Sequence, residues 1–255
     1  MRHRHPPIAR IYIPQFTSLT REHPHHELNC ISSSKIQLMT KHLMNSIQRV
    51  LVLAPHTDDA ELGCGGTIAR LLREGDDVFV AAFSTAEESL PPGATPTRLR
   101  DEFLAAMQSL GIASERTLVF GYPVRRLSYY RQELLEELVK LRRQINPDIV
   151  LLPSASDLHQ DHQVLNAEGL RCFKDMTVWG YELPWNNIGF PSQAFVTLEP
   201  CDLQAKWKAL QAYKSQFELS RPYFSWEFIE GLARVRGVQV KALYAEAFEV
   251  MRLKW

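Results

Sequence analysis

Two short segments of the chain carry the residue types that bind metals and transfer protons. Residues 56–59 read HTDD and residues 159–162 read HQDH, and each segment follows an apolar run. The chain has nine histidines, and only His56, His159 and His162 lie beyond residue 46. Catalytic zinc sites use three ligands drawn from histidine nitrogen and carboxylate oxygen, and keep one position open for water. The residues left over could supply the base and the oxyanion donor that a hydrolase requires.

The elements that must position these segments alternate between strand and helix patterns from residue 48 onward. Strands are predicted at 49–54, 77–84, 117–121 and 148–154, and helices at 66–75, 97–110 and 129–145. Strand-like and helical pieces continue to the end of the chain. This alternation predicts a Rossmann-like α/β fold, with a largely parallel sheet flanked by helices. Because the carboxyl ends of parallel strands share one edge, both segments are expected to meet there.

The first 46 residues differ from the rest in composition. They contain prolines, a serine run and six of the nine histidines, with little periodicity. The pattern predicts a disordered extension over 1–46 and one domain over 47–255. Without a fixed geometry, the histidines of this extension would bind metal only loosely.

Overall composition excludes several classes of protein. Of 255 residues, 45% are hydrophobic and 23% are charged, and the formal net charge is zero, so a nucleic-acid partner is not indicated. No apolar run approaches the roughly 20 residues of a membrane span. No secretory leader is apparent, which predicts a cytoplasmic protein. The four cysteines form no C-x-x-C pair, so a cysteine-only zinc site is not expected. Homo-oligomerisation stays open.

The two segments resemble the conserved blocks of a known family. PHTDDAELGCGGTIARL (residues 55–71) is similar to the P-H-P-D-D-E-x-L-G-x-G-G-T block of the LmbE-like (PIG-L) zinc-dependent N-acetylglucosaminyl deacetylases, and HQDH is similar to their H-x-D-H block. The likeness continues through RDEFLAAMQSLG, INPDIVLLPS and AYKSQ, and covers most of residues 48–250. It implies a hydrolase that removes acetyl from an N-acetylglucosamine-type conjugate, with zinc as cofactor and iron as the alternative metal.

The resemblance also implies a role for each residue of the two segments. The zinc ligands would be His56, Asp59 and His162. Asp58 would be the general base that activates water and later protonates the departing amine. His159 would donate to the oxyanion, and Asp161 would orient that imidazole. An extended backbone at 58–59 would point the two adjacent carboxylates to opposite sides, in keeping with their separate roles.

This sequence departs from the family pattern at two positions. Thr57 stands in place of proline, and Ala60 stands in place of the glutamate that follows the two aspartates. Neither position is an implied ligand, so the reaction type is expected to persist. Glu61 could take over the support that the missing glutamate gives, or the site could be looser.

Candidate contacts to the sugar are few. Arg100 aligns with the R-x-E helix of the family, and Trp185 and Asn186 lie in the segment GYELPWNN. An indole can stack on a pyranose, and an amide can bond its hydroxyls. Arg100 could equally face solvent, and Trp185 could equally belong to the core. The expected partner is a small N-acetyl amino-sugar conjugate.

Two other functions remain open from the sequence. A glycine-rich turn such as GCGG can cradle the phosphates of a nucleotide or lie in an S-adenosylmethionine site. Here eight residues separate it from the strand, which favours close packing through Gly63, Gly65 and Gly66, with Cys64 as a small buried residue. The substitution at Ala60 is the only support for a non-catalytic, sugar-binding role.

Overall fold

The computed structural model describes residues 48–90 and 93–254. The extension expected over 1–46 lies outside the described residues. Within the described residues, strands and helices alternate as the sequence predicts. In chain order they are β1 (Arg49–His56), α1 (Asp59–Glu74), β2 (Asp77–Ser84), α2 (Arg98–Leu110), β3 (Thr117–Val119), α3 (Arg131–Ile145), β4 (Ile149–Pro153), α4 (Gln160–Cys172), β5 (Thr177–Tyr181), β6 (Ala194–Leu198), α5 (Pro200–Leu210), α6 (Lys214–Glu218), α7 (Trp226–Gln239) and β7 (Tyr244–Arg252).

The strands form one sheet in the order β3-β2-β1-β4-β5-β7-β6. Strands β1 to β5 pair in parallel, while β7 pairs antiparallel with both β5 and β6. The largely parallel α/β sheet is therefore confirmed. The chain leaves β1 toward β2 and β3, then returns to place β4 on the other side of β1. The crevice at the carboxyl ends of β1 and β4 is thus a topological switch point, where α/β sheets bind ligands.

The central strand β1 is buried on both faces, which explains its continuous apolar run. Val50 and Val52 join one core cluster, together with Ile68 of α1. Leu51 and Leu53 join a second cluster, on the opposite face. Because alternate residues anchor both faces, the end of β1 is held rigidly. Among the helices of the described ranges, none combines the length and hydrophobicity that a membrane span requires.

Helix α1 begins earlier than the sequence predicts. The expected helix started at residue 66, but α1 starts at Asp59 and runs through the glycines, with a local break at Cys64 (φ −147°, ψ 24°). Asp58 has a helical backbone (φ −108°, ψ −9°), so the predicted extended conformation at 58–59 is wrong. Glycine, which has low helix propensity, concealed the helix in the sequence. Tertiary packing stabilises it instead.

The three glycines of GCGG lie at close contacts inside this helix. A Cβ atom on Gly63 would overlap the ring of Tyr181, and one on Gly66 would overlap Leu198. The expected packing role of the glycines is confirmed. Since they lie in a buried helix, they do not form a phosphate-binding turn. Cys64 is fully buried, and burial raises the pKa of its thiol well above the ordinary range, which disfavours a nucleophilic thiolate.

A buried ion pair bridges the break in α1. Lys206 Nζ donates to the carbonyl of Leu62, at 2.8 Å, and to Glu246 Oε1, at 2.7 Å. Glu246 in turn accepts from the backbone N–H groups of Gly66 (3.0 Å) and Thr67 (2.7 Å). The pair therefore satisfies backbone groups on both sides of the break, and ties α1 to α5 and β7.

We expect Lys206→Met to lower the free energy of unfolding by about 3–5 kcal/mol, because it leaves Glu246 as a buried, uncompensated charge. Urea denaturation followed by circular dichroism measures the change. Replacing Arg234 of the exposed pair Arg234–Glu230 with Met is the control, and should have little effect. Equal midpoints for Lys206→Met and the wild type would contradict the role assigned to this pair.

Candidate active site and metal centre

The two chemistry-bearing segments meet at the switch point, as predicted. His56 is the last residue of β1, and Asp59 is the first residue of α1. His162 lies in the first turn of α4, which follows β4. All three side chains are buried, with no more than 8% of any residue exposed. Short strand-to-helix connections thus bring distant parts of the sequence to one point.

One atom of each of these three residues lies at a corner of a nearly equilateral triangle. Asp59 Oδ2 is 3.1 Å from His56 Nδ1 and 3.2 Å from His162 Nε2, and the two nitrogens are 3.2 Å apart. Ligand atoms at about 2.0–2.2 Å from one ion have spacings of this order. A wider group, formed by His56, His159 and His162, has its nitrogens within 4.8 Å of one another. The set that contains Asp59 is the tighter one.

The second ring nitrogen of both triangle histidines faces a carboxylate. His162 Nδ1 is 2.7 Å from Asp157 Oδ2, and His56 Nε2 is 2.9 Å from Asp161 Oδ2. In the neutral rings, donation of these N–H groups to the carboxylates places the lone pairs on His162 Nε2 and His56 Nδ1, which can then bind a cation in place of a proton. Metal-ligating histidines characteristically have such partners. The residues present therefore fit a metal centre.

Asp161 does not contact the imidazole that it was expected to orient. Its carboxylate accepts from the backbone N–H groups of Arg125 (2.6 Å) and Leu127 (3.2 Å), in addition to its contact with His56. Only the backbone N–H of Asp161 reaches His159, where it donates to Nδ1 at 3.2 Å. The expected side-chain role was wrong because the helical start of α4 turns the Asp161 carboxylate toward β1.

The contribution of Asp157 was not predicted from the sequence. Besides His162, its carboxylate accepts from the backbone N–H of His159, at 2.8 Å, and from Asn186 Nδ2, at 3.3 Å. The available signal was its position, five residues before His162 and just after a buried strand. The carboxylate of Asp157 thus holds both the backbone at the start of α4 and the imidazole of His162 in place.

We expect Asp157→Asn to weaken zinc binding by about 10- to 100-fold, the usual effect of losing a ligand's carboxylate partner. Competition with a fluorescent chelator measures the affinity. Asp175→Asn, at an exposed residue paired with Arg142, is the control. Unchanged affinity in the Asp157 variant would show that this contact does not support the metal centre.

The electrostatics of the triangle favour a cation. Burial lowers the pKa of His56, but Asp59 and Asp161 outweigh burial and raise it to about 10. In the same way, Asp59 and Asp157 raise the pKa of His162 to about 9 against the effect of burial. The two imidazoles hold the pKa of Asp59 far below its ordinary range despite burial. The negative potential that retains protons on both rings would equally attract a metal ion.

Asp58 and His159 occupy different environments from the triangle. Burial, followed by the charge of Asp59, raises the pKa of Asp58 to about 6, within the range suited to a general base. Burial, followed by the charges of His162 and His56, lowers the pKa of His159 to about 4. His159 is therefore neutral at pH 7. Since its Nδ1 accepts from Asp161 N–H, its proton lies on Nε2.

Glu61 supports the site indirectly. It is fully buried, and the hydroxyl of Tyr213 donates to its Oε1 at 2.6 Å. The same hydroxyl contacts the carbonyl of Thr57, between His56 and Asp58. The link from Glu61 through Tyr213 thus holds the turn itself, and does not run through the triangle residues. Ala60 is buried beside it.

A cavity of about 270 Å³ opens over these residues. Trp185 and Asn186 line it, as expected, and the indole of Trp185 stacks on Tyr223, with ring centroids 3.9 Å apart and 12° between the planes. Arg100 does not line the cavity. It lies on the exposed side of α2, whereas its neighbour Leu99 faces the cavity. The alternation of exposed and buried positions along α2 decides against Arg100 as a sugar contact.

These features define an α/β protein with a histidine–aspartate centre at its switch point. Residues 51–173 match the sequence model of PIG-L, described as GlcNAc-PI de-N-acetylase, and this segment contains the whole triangle. This match to the PIG-L (LmbE-like) family confirms the resemblance seen in the two sequence blocks of this chain.

The chain is also similar to two deacetylases in sequence and to a solved structure in fold. The chain is 28% identical to an uncharacterized deacetylase, YaiS, of Escherichia coli K12, over 67% of this chain and 93% of that protein. It is 30% identical to the diacetylchitobiose deacetylase of Thermococcus kodakarensis, over 51% of each chain. The 4-carboxy-2-hydroxymuconate hydratase GalB of Pseudomonas putida KT2440 shares the fold, with a TM-score of 0.67 and 22% identity over 82% of this chain and 98% of that one. That likeness shows the fold alone.

Proposed function

We propose that this protein is a zinc-dependent amidohydrolase that removes the acetyl group from an N-acetylglucosamine-type sugar conjugate. The observation that carries the proposal is the triangle of His56, Asp59 and His162, with Asp58 beside it at the floor of the cavity. Relatives named as deacetylases support the reaction type. Two imidazoles and one carboxylate form a ligand set suited to catalytic zinc, and metal analysis decides between zinc and iron.

The residues of the site divide the chemistry among them. A zinc ion held by the triangle would polarise the amide carbonyl and lower the pKa of the attacking water. Asp58, adjacent to the ligand Asp59, takes the proton of that water and later delivers it to the amine nitrogen as the C–N bond breaks. His159 donates from Nε2–H to the oxyanion of the tetrahedral intermediate. Asp157 and Asp161 hold the rings of His162 and His56 in their orientations.

Aromatic side chains at the rim of the cavity suit a sugar ring. Trp185 is 39% exposed, and its stacking on Tyr223 fixes the orientation of the indole. A pyranose can pack on the accessible part of this ring. Asn186 also lines the cavity, and its side-chain nitrogen Nδ2 donates to Asp157. The side-chain oxygen Oδ1 is therefore the atom available to a sugar hydroxyl.

The decisive experiment is a fluorescamine assay for free amine on a panel of N-acetylglucosamine conjugates, with the zinc content of the same preparation determined. We expect amine release that a chelator abolishes and that added zinc restores. Absence of release from protein holding one zinc per chain would overturn the hydrolase and favour the sugar-binding role. Absence of bound metal after reconstitution would overturn the assignment of the triangle.

A further inference from the structure

Apart from the residues of the proposed reaction centre, the charged side chains that line the cavity within residues 48–90 and 93–254 are two arginines, Arg125 and Arg221. The acids that line the cavity are Asp58 and Asp59, both at its floor. The rim of the cavity therefore carries positive charge. A ligand that reaches the rim meets cationic groups, with neutral ones such as Gln216 between them.

The two arginines differ in how far their charge is already balanced. The guanidinium of Arg125 donates to Glu88, at 3.1 Å, at the exposed surface. For Arg221, no carboxylate within the described ranges lies at ion-pair distance, and its side chain is exposed. Arg221 is thus the cation of this rim that remains available to a ligand.

The backbone around both arginines is fixed in the left-handed region, which is costly for residues other than glycine. Arg125 has φ 64°, and its N–H is held by the Asp161 carboxylate, at 2.6 Å. Ser220, just before Arg221, has φ 52°, and its N–H donates to the carbonyl of Phe217, at 2.9 Å. Arg125 in the first turn and Arg221 directly after the second both line the cavity.

Arg221 lines the same cavity as the stacked rings of Trp185 and Tyr223, and lies two residues before Tyr223 in the chain. Burial is the main cause that raises the pKa of Tyr223 to about 12. The charge of Asp58 adds to this rise, and the guanidinium of Arg221 opposes it. Tyr223, Arg221 and Asp58 all line this one cavity. A sugar on Trp185 with its acetamido group at Asp58 can extend another substituent to Arg221.

We propose that the N-acetyl sugar substrate carries an anionic substituent, a carboxylate or a phosphate, and that Arg221 binds it at the cavity rim. A guanidinium pairs with either anion through two parallel hydrogen bonds. Neutral sugars are then poor substrates, because they leave this interaction unused. The inference rests on the proposed deacetylase function, and narrows its substrate class.

The test compares anionic probes with neutral counterparts of the same sugar. The carboxymethyl β-glycoside of N-acetylglucosamine is assayed beside its carboxamide, and N-acetylglucosamine 1-phosphate is assayed beside the methyl glycoside. Wild-type protein is expected to have kcat/KM at least about tenfold higher for an anion than for its neutral counterpart. The pair that shows the larger ratio identifies carboxylate or phosphate.

Arg221→Gln should bring this ratio close to one, chiefly through KM, and added salt should reduce it in the wild type. Arg143→Gln, at an exposed arginine of α3, is the matched control and should keep the wild-type ratio. A wild-type ratio near one, or an unchanged ratio in the Arg221 variant, would overturn the inference.

Binding separates failure of this inference from failure of the proposed function. If no probe releases amine, the deacetylase assignment fails, and calorimetric titration of the zinc-loaded protein with the same probes still tests the rim. Tighter binding of the anions that Arg221→Gln abolishes supports the anion site on its own. Equal affinity for charged and neutral probes overturns it.

Discussion

Replacing Asp58 with asparagine is expected to reduce kcat for deacetylation by about 100- to 10,000-fold while one metal ion per chain remains bound. The range is that of general base catalysis by a single positioned group. Asparagine preserves the size of the side chain but cannot accept the proton of the attacking water. Its backbone position before α1 should be kept, because Asp58 makes no side-chain capping bond there.

Kinetics and metal content must be measured on the same preparation. Asp101→Asn, at an exposed residue of α2, provides a matched control that should retain wild-type kcat. Near-normal turnover in the Asp58 variant would show that another group takes the proton. Loss of metal together with loss of activity would instead indicate that Asp58 is itself a metal ligand. That result would contradict the role of general base assigned to it.

The second expected result concerns which residues hold the metal. Exchange of either Asp59 or His162 for alanine should abolish stoichiometric zinc binding, whereas His159→Ala should retain the metal and lose most of the activity. The reason is geometric, because the Asp59 oxygen lies 3.1 and 3.2 Å from the two histidine nitrogens. His159 Nδ1 already accepts from a backbone N–H. Mass spectrometric metal analysis after dialysis gives the occupancy.

Circular dichroism on the same variants separates loss of a ligand from loss of the fold. His162 is buried against Asp157, so Asp59→Ala provides an independent route to the same conclusion. The reverse pattern, with zinc kept by Asp59→Ala and lost by His159→Ala, would favour the wider group of three histidines. In that case Asp59 would be a hydrogen-bond acceptor for the turn, since its Oδ2 also accepts the N–H of His56, at 2.8 Å.

A hydratase shares this fold, so the fold alone does not identify the reaction, and these variants test the chemistry of the site itself. A shared fold does not fix the chemistry, which depends on the groups placed around the site. Here Asp58 and His159 differ in pKa and lie beside a ligand triangle that can hold a cation. Their separate effects on turnover and on metal content therefore test the proposed division of roles directly.

The sequence by itself determined that a largely parallel sheet forms and in which order strands and helices follow one another along the chain. It also determined that HTDD and HQDH meet at one edge of this sheet. Buried apolar runs before HTDD and HQDH predict parallel strands, and the carboxyl ends of such strands share one edge. The family resemblance then named the residues of the triangle, and the structure brings those residues together. Apolar runs and short motifs are local patterns, so they can be recognised in the sequence alone.

Other features depended on contacts between residues far apart in the chain. The glycines of α1 concealed its start at Asp59, because the helix depends on distant contacts. Lys206 lies 144 residues from its partner Leu62, and Glu246 lies 180 residues from Gly66. The partner of the Asp161 carboxylate was decided by the first turn of α4, which directs it to His56. Helical phase placed Leu99 at the cavity and Arg100 in solvent. Side-chain direction and long-range pairing follow from packing, so only the tertiary structure could determine them.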